Sequence, residues 1–350
     1  MRSRLAAGDR EASGIMDLAF IWAVLIAFAV LAYVLFDGFD LGIGILFPFI
    51  VGEDGEKGRD QAMNSVAPVW DGNETWLVLG GGGLMAAFPL AYAVVMPALY
   101  APITAMLLGL IFRGVAFEFR WRTTRAKYLW DWAFAGGSML AAFAQGIALG
   151  ALIQGIPVSG RAYAGGWWDW LTWFSLLTGV ALMVGYALLG STWLIMKTTG
   201  SVQRHAYQFA WITGLATLAL IGLVSLITPI MNPVAMGRWF AWPAILYVAP
   251  VPIFVAVAAF VLLSGLYAQR EVSPFFAAVA LFVLSYIGLG ISFYPYIVPP
   301  TITIWSAAAP DASLGFLLVG AAVLIPLILG YTALSYWVFR GKVDPHEGYH

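Results

Sequence analysis

Nine long apolar stretches, separated by short polar connections, run along this chain, approximately over residues 17–50, 76–96, 98–118, 131–155, 169–196, 208–230, 243–267, 274–298 and 314–339. A helix needs about 20 mostly apolar residues to cross a bilayer, so the pattern predicts about nine transmembrane helices and an all-α polytopic membrane protein. The first stretch exceeds one crossing. At ~1.5 Å per residue, a straight helix from Asp17 to Ile50 measures about 50 Å, against a hydrocarbon core of about 30 Å. It must tilt, break near Gly38 or run out along the interface, and each option leaves Asp37 and Asp40 near the end of the core.

No polar linker, low-complexity tract or strong repeat divides the chain, so residues 16–340 read as a single transmembrane domain and residues 341–350 as a short tail. Residues 1–15 read as an N-terminal extension, either disordered or a misassigned start, because Met16 offers a cleaner beginning. The first apolar stretch has the length of a span and lacks a small-residue cleavage pattern, so it reads as the first helix rather than a removed leader.

Composition agrees with the pattern. Hydrophobic residues make up 62% of the chain and charged residues 10%, where a soluble domain carries about 25% charged residues. The net charge of -1 gives no basic excess that would point to nucleic acid. With no cysteine, disulfides, thiolate metal sites, iron–sulfur clusters and thiol catalysis are excluded. Of the three histidines, His205 is expected in a short polar loop, and His346 and His350 lie in the tail. Intramembrane haem needs axial ligands from facing helices, so if haem is involved, another chain holds the iron. Methionine in apolar helices reads as core filler, and no metal site is assigned.

Lys and Arg set the topology. With the first helix starting outside, Lys57, Arg59, Arg120, Arg122, Arg125, Lys127, Lys197, Arg204, Arg270, Arg340 and Lys342 fall on the inner side, and only Arg161 and Arg238 lie in outer loops. The N-terminus is then outside and the C-terminus cytoplasmic. Arg2, Arg4 and Arg10 run against the rule.

Candidate chemistry gathers in the first three spans. A carboxylate near the bilayer centre costs about 2.5 kcal/mol or more, yet Asp37 and Asp40 stand three residues apart, on one face of a continuous helix. Paired buried carboxylates suit a group that accepts and releases protons. The bland alternative ends the helix at Asp37, with both acids hydrated at the interface. Asp71 and Glu74 have the spacing of a capping box at the start of the second span, which is compatible with a proton entrance. Arg113, deep in the third span, calls for an anionic partner, and a first-helix carboxylate is the natural one; snorkelling to the interface is the alternative. Glu118 lies five residues on, about 500° of rotation, off the face of Arg113 and nearer the inner surface.

The remaining polar features read as structure. Gly80 to Gly83 allow close helix approach. Trp130-Asp131-Trp132 and Trp168-Asp169-Trp170 each read as a helix opening with an Asp cap and interfacial aromatics. Gln145, Tyr186, Tyr286, Tyr294 and Tyr296 read as interhelical hydrogen-bond partners, and the Pro295 to Pro300 stretch ends the eighth helix.

At Asp37-Gly38-Phe39-Asp40-Leu41-Gly42, at Asn64-Ser65-Val66-Ala67-Pro68 running into Trp70-Asp71-Gly72-Asn73, and at Phe112-Arg113 with Glu118, the chain resembles subunit II of the bacterial cytochrome bd-type quinol oxidases, including the cyanide-insensitive branch. Weaker likeness lies in Trp130-Asp131-Trp132, Gln154-Gly155 and Pro295 to Pro300. The resemblance covers residues 16–340. It implies two four-helix bundles plus a peripheral helix in the bacterial inner membrane, paired as a heterodimer with a subunit I that carries two b-type haems, one d-type haem and the main quinol site. The complex oxidises quinol and reduces dioxygen to water with cytoplasmic protons.

Subunit II, by this resemblance, binds no haem alone, supports subunit I and contributes to proton delivery. In some members a structural quinone or a small accessory subunit joins it, alongside membrane lipids. Carried over by position, Asp40 and Asp71 match acidic proton-path positions, with Trp70 beside the latter, and Arg113 and Glu118 fall where the family has them. Asp37, Asp40, Trp70, Asp71, Arg113 and Glu118 thus form the candidate proton pathway. Some members carry Gln at the position of Glu74, which argues against a required acid there. Two other readings stay open from the residues alone: a proton-coupled secondary transporter, and a purely structural partner whose acids cap helices or dock subunit I.

Overall fold

The computed structural model describes residues 17–50 and 55–343. The expected N-terminal extension at 1–15, and the tail beyond Val343 with His346 and His350, lie outside the described residues. Among the described residues, eight helices are long and apolar enough to cross a membrane, and a sharply bent helix pair brings the number to nine when it is counted as one span. In chain order they are α1 (Leu18–Leu46), α3 (Trp70–Ala87) bent into α4 (Pro89–Ala98), α5 (Tyr100–Arg122), α6 (Lys127–Gln154), α7 (Trp173–Lys197), α8 (Gly200–Met231), α10 (Ala244–Val248) continued by α11 (Pro250–Tyr267), α12 (Ser273–Phe293) and α14 (Asp311–Val338). Shorter helices are α2 (Gly55–Asn64), α9 (Pro233–Phe240) and α13 (Ile304–Ala307).

Two small hairpins cover one end of the molecule. They are β1 (Val158–Ser159) with β2 (Ala162–Tyr163), and β3 (Tyr296–Val298) with β4 (Ile302–Thr303). The chain is all-α in its membrane part. Helices α1, α3, α5 and α6 pack in one group and α7, α8, α11 and α12 in another, joined through α1 on α7 and α6 on α7, while α14 lies against α1 and α3.

Helix α1 does not break at Gly38. It runs unbroken for 29 residues, then tightens into a 3-10 turn at Phe47–Phe49. At ~1.5 Å per residue it is about 44 Å long, and Asp37 and Asp40 sit inside it fully enclosed rather than hydrated at its end. Its start is fixed by Asp17, which accepts from the Phe20 amide at 2.9 Å and from Trp305 Nε1 at 2.7 Å. Two glycine contacts explain the tight packing. A Cβ on Gly42 would lie 1.8 Å from the Tyr186 carbonyl oxygen, so α1 and α7 touch backbone to backbone. A Cβ on Gly109 would lie 2.6 Å from the Gly137 carbonyl oxygen, doing the same for α5 and α6. Of the Gly80–Gly83 run, Gly80 and Gly83 face α1, but Gly81 and Gly82 meet nothing.

Several helix boundaries differ from those expected of the sequence. The second span bends by 120° at Phe88, because Pro89 cannot continue the helix and instead opens α4. Val69, not Asp71, is the N-cap of α3, so Asp71 and Glu74 lie within the helix and form no capping box. Asp131 and Asp169 cap nothing: α6 begins at Lys127, and α7 begins after a Thr172 and Ser175 capping box. Asp169 instead accepts from the Gly166 amide at 2.9 Å and the Tyr163 hydroxyl at 3.2 Å in the preceding loop. His205 lies in the first turns of α8, not in a loop.

The end of the molecule rich in Lys and Arg is clasped by the last described residues. Lys197 Nζ donates to the carbonyls of Phe339 and Gly341, Lys342 Nζ pairs with Glu271 at 2.7 Å, and the Val343 amide donates to the Lys197 carbonyl at 2.8 Å.

Candidate functional site: a buried acidic cluster around one arginine

Helices α1, α3 and α5 bring their polar residues to one point inside the bundle. Asp37 and Asp40 share a face of α1 by their spacing of three. Arg113 reaches them from α5: Nη1 lies 2.5 Å from Asp37 Oδ1, and Nη2 lies 3.7 Å from Asp40 Oδ2, with all three side chains fully enclosed. The guanidinium therefore points into the bundle and does not snorkel. A buried charge persists only when paired and hydrogen-bonded; Arg113 is paired directly with Asp37, while one guanidinium facing two carboxylates leaves an excess of acid from α1.

From α3 come two residues that the sequence reading left out of the site. Asn73 is fully enclosed, and its Nδ2 donates to Asp40 Oδ2 at 2.8 Å and to the Phe36 carbonyl at 3.2 Å. Its Oδ1 accepts from the Tyr336 hydroxyl of α14 at 2.9 Å. Glu74 Oε1 stands 3.7 Å from Arg113 Nη1, and its side chain is 31% exposed, where Asp37 and Asp40 are sealed. The signal for Asn73 was its place in the Trp70 to Asn73 motif, while Glu74 was discounted.

On the far side of Asp37, Tyr33 lies beside its carboxyl. The Tyr33 hydroxyl accepts from Gln145 Nε2 at 2.8 Å, and Gln145 Oε1 accepts from the Tyr186 hydroxyl at 2.8 Å. Gln145 and Tyr186 thus serve as the interhelical partners expected of them.

The other candidates are placed differently. Trp70 stacks flat on Phe117 of α5 at 4.7 Å and 2°, holding the start of α3 against α5. Asp71 is exposed in the first turn of α3, within electrostatic reach of Arg113 and Glu118. Glu118 does not join the enclosed cluster. Its side chain is 54% exposed and faces Arg122 at 3.9 Å, as its rotation off the Arg113 face requires.

A second arginine, Arg120, which in the sequence marks only topology, is fully enclosed. It lies in the last turn of α5, bonded to Asp131 through Nε at 2.5 Å and to Asp60 through Nη1 at 2.6 Å. Arg59 meets Asp131 at 3.4 Å, and Lys127 meets Asp60 at 3.3 Å and Glu56 at 2.6 Å. The Lys127 hydrogen bond and charge hold the Glu56 carboxyl below its ordinary range.

The described residues offer no facing pair of histidines to hold a haem. Among the described residues the one histidine is His205, near the start of α8, and no group of three His, Cys, Asp or Glu side chains is arranged to hold a metal ion. Within the acidic cluster, the Arg113 guanidinium already takes the place a cation would occupy.

Comparison with known proteins adds the family context. The sequence model described as "Cytochrome bd terminal oxidase subunit II" matches residues 18–339. The chain is 30% identical to cytochrome bd-I ubiquinol oxidase subunit 2 of Escherichia coli K12, covering 94% of this chain and 96% of that protein. It is 27% identical to cytochrome bd ubiquinol oxidase subunit 2 of Bacillus subtilis 168, covering 93% and 97%. In fold it is similar to a chain of the bd oxidase structure from Geobacillus thermodenitrificans, with a TM-score of 0.75 at 17% identity over 93% of this chain and 99% of that one.

Proposed function

The chain belongs to the cytochrome bd terminal oxidase subunit II family, and on that premise we propose that it supports a haem-bearing subunit I and delivers protons to it for the reduction of dioxygen to water. Haem iron and quinol oxidation are assigned to the partner subunit, with which this chain forms a heterodimer. By the distribution of Lys and Arg, the end clasped by Lys197 and Lys342 faces the cytoplasm. The N-terminus is then outside and the C-terminus inside. Family membership sets the transporter reading aside.

The observation that carries the proton reading is the charge count inside the bundle. Asp37, Asp40 and Glu74 surround the single guanidinium of Arg113. Three carboxylates facing one cation make an uncharged group only when two protons are held among them. A structural ion pair needs no such excess, whereas a group that loads and unloads protons does. Arg113 keeps the carboxylates close together, Asn73 aims Asp40, and Trp70 fixes the helix that carries Glu74. The cluster is nearer the basic end, since Asp37 lies about 14 Å before the end of α1.

Asp40→Asn in the assembled two-subunit enzyme is expected to slow quinol-driven oxygen consumption at least tenfold or to prevent haem assembly. Wild-type turnover at full haem content would remove the proton role and leave the structural one.

A further inference from the structure

The acidic cluster has three polar flanks, and they differ in chemistry. Toward α14, Asp40 is met by the Asn73 amide, which is met in turn by the Tyr336 hydroxyl. Toward α7, Asp37 is flanked by Tyr33, then the Gln145 amide, then Tyr186. Both flanks therefore pass through a carboxamide. A carboxamide donates and accepts hydrogen bonds but does not titrate, so it fixes geometry without taking a proton from one neighbour and handing it to the next.

The third flank is different. Glu74 is the one carboxylate of the cluster with surface exposure, at 31%, and its Oε1 is buried beside Arg113 with no hydrogen-bond partner. The side chain is thus partly exposed at the surface of this chain while its Oε1 faces the guanidinium that pairs with Asp37 and Asp40. Three residues earlier on the same helix face stands exposed Asp71.

We infer that Glu74 is the proton port of the Arg113 cluster, and that Asn73 and Gln145 close its other two flanks. The inference rests on the reading of this chain as a proton-delivering subunit. One proton passes from surface water, gathered near Asp71, to a Glu74 oxygen. Glu74 then gives it to the Asp37 and Asp40 pair and returns to carboxylate. Only O–H bonds are made and broken, and no electron moves. Relatives with Gln at this position must admit protons by another flank.

The test uses the purified two-subunit enzyme carrying Glu74→Gln, Glu74→Asp or Asp40→Asn. Haem content is read from the absorption spectrum, and quinol-driven oxygen uptake is followed across pH. The expected result is full haem in Glu74→Gln with turnover lowered at least tenfold, while Glu74→Asp keeps part of the rate with its pH profile displaced from the wild type. Wild-type turnover in Glu74→Gln beside a slow Asp40→Asn overturns the port and leaves proton delivery standing. Wild-type turnover in both, at full haem, overturns the delivery reading and the port with it. If Glu74→Gln loses haem, Glu74→Asp decides: a displaced pH profile supports the port, and an unchanged profile overturns it.

Discussion

Arg113 and Arg120 stand two turns apart on α5, both fully enclosed and both bonded to carboxylates, yet their surroundings differ in charge. Around Arg120, among the described residues, three cations (Arg120, Arg59 and Lys127) face three acids (Asp60, Asp131 and Glu56). Around Arg113, one cation faces three acids. The first network is balanced, lies at the membrane edge and has several partly exposed members. It ties α2, α5 and α6 together. The second is sealed apart from Glu74 and has room for two protons. On the proposed proton-delivery reading, the same residue type on the same helix serves as a strut in one place and as the centre of a proton store in the other.

The largest effect should come from removing the sealed cation. Arg113→Met leaves Asp37 and Asp40 enclosed without their counter-charge, and breaking a buried pair in this way costs about 3–5 kcal/mol. The expected outcome is loss of the assembled complex, read as haem content per membrane protein; normal haem content would show that the cluster is not held together by Arg113. Arg120→Met should cost less, about 1–3 kcal/mol, because Asp60 and Asp131 keep Lys127 and Arg59 and are partly hydrated. Its signature is a shorter thermal-inactivation half-life with turnover per haem and pH profile unchanged. A displaced pH profile would erase the distinction between the two arginines.

Smaller effects sharpen the strut. Glu56 is held below its usual value of 4.5 by Lys127, so its folded-state pKa lies below the unfolded one. The stability it contributes is present above about pH 4.5 and is lost as pH falls through the folded value. Lys127→Met should therefore shorten the inactivation half-life most at neutral pH, and the gap to wild type should close on acidification. Surface screening keeps this effect modest. The smallest effect is expected for Glu118→Gln, since the side chain is half exposed and outside the cluster. Turnover within twofold of wild type is the expected result, and a tenfold loss would return Glu118 to the pathway.

Much of this arrangement is legible in the sequence alone. Spans of 20 or more apolar residues announce themselves, and the spacing of Asp37 and Asp40 places both on the face that Arg113 reaches from α5. The pairing of Arg113 with the first helix follows from the cost of an unpaired charge in lipid. What escaped notice had a physical reason. Asn73 carries no charge, so no solvation penalty flags it. Arg120 sits at a helix end, where arginine ordinarily reports only topology, and its burial depends on acids 60 and 11 residues away in sequence. Asp71, Asp131 and Asp169 looked like caps because Asp near an apolar run is the usual N-terminus signal. The chain instead began its helices at Trp70, Lys127 and Trp173. The bend at Phe88 was hidden by unbroken hydrophobicity, although Pro89 was there to mark it.

The central claim is that the Arg113 cluster moves protons and the Arg120 network does not. Its most direct test is the rate of proton uptake during oxygen reduction, followed with a pH indicator in the two-subunit enzyme, in Asp40→Asn and Arg120→Met preparations matched for haem content. Uptake is expected to be slowed at least tenfold in Asp40→Asn and unchanged per haem in Arg120→Met. Equal uptake rates in the two variants would contradict it.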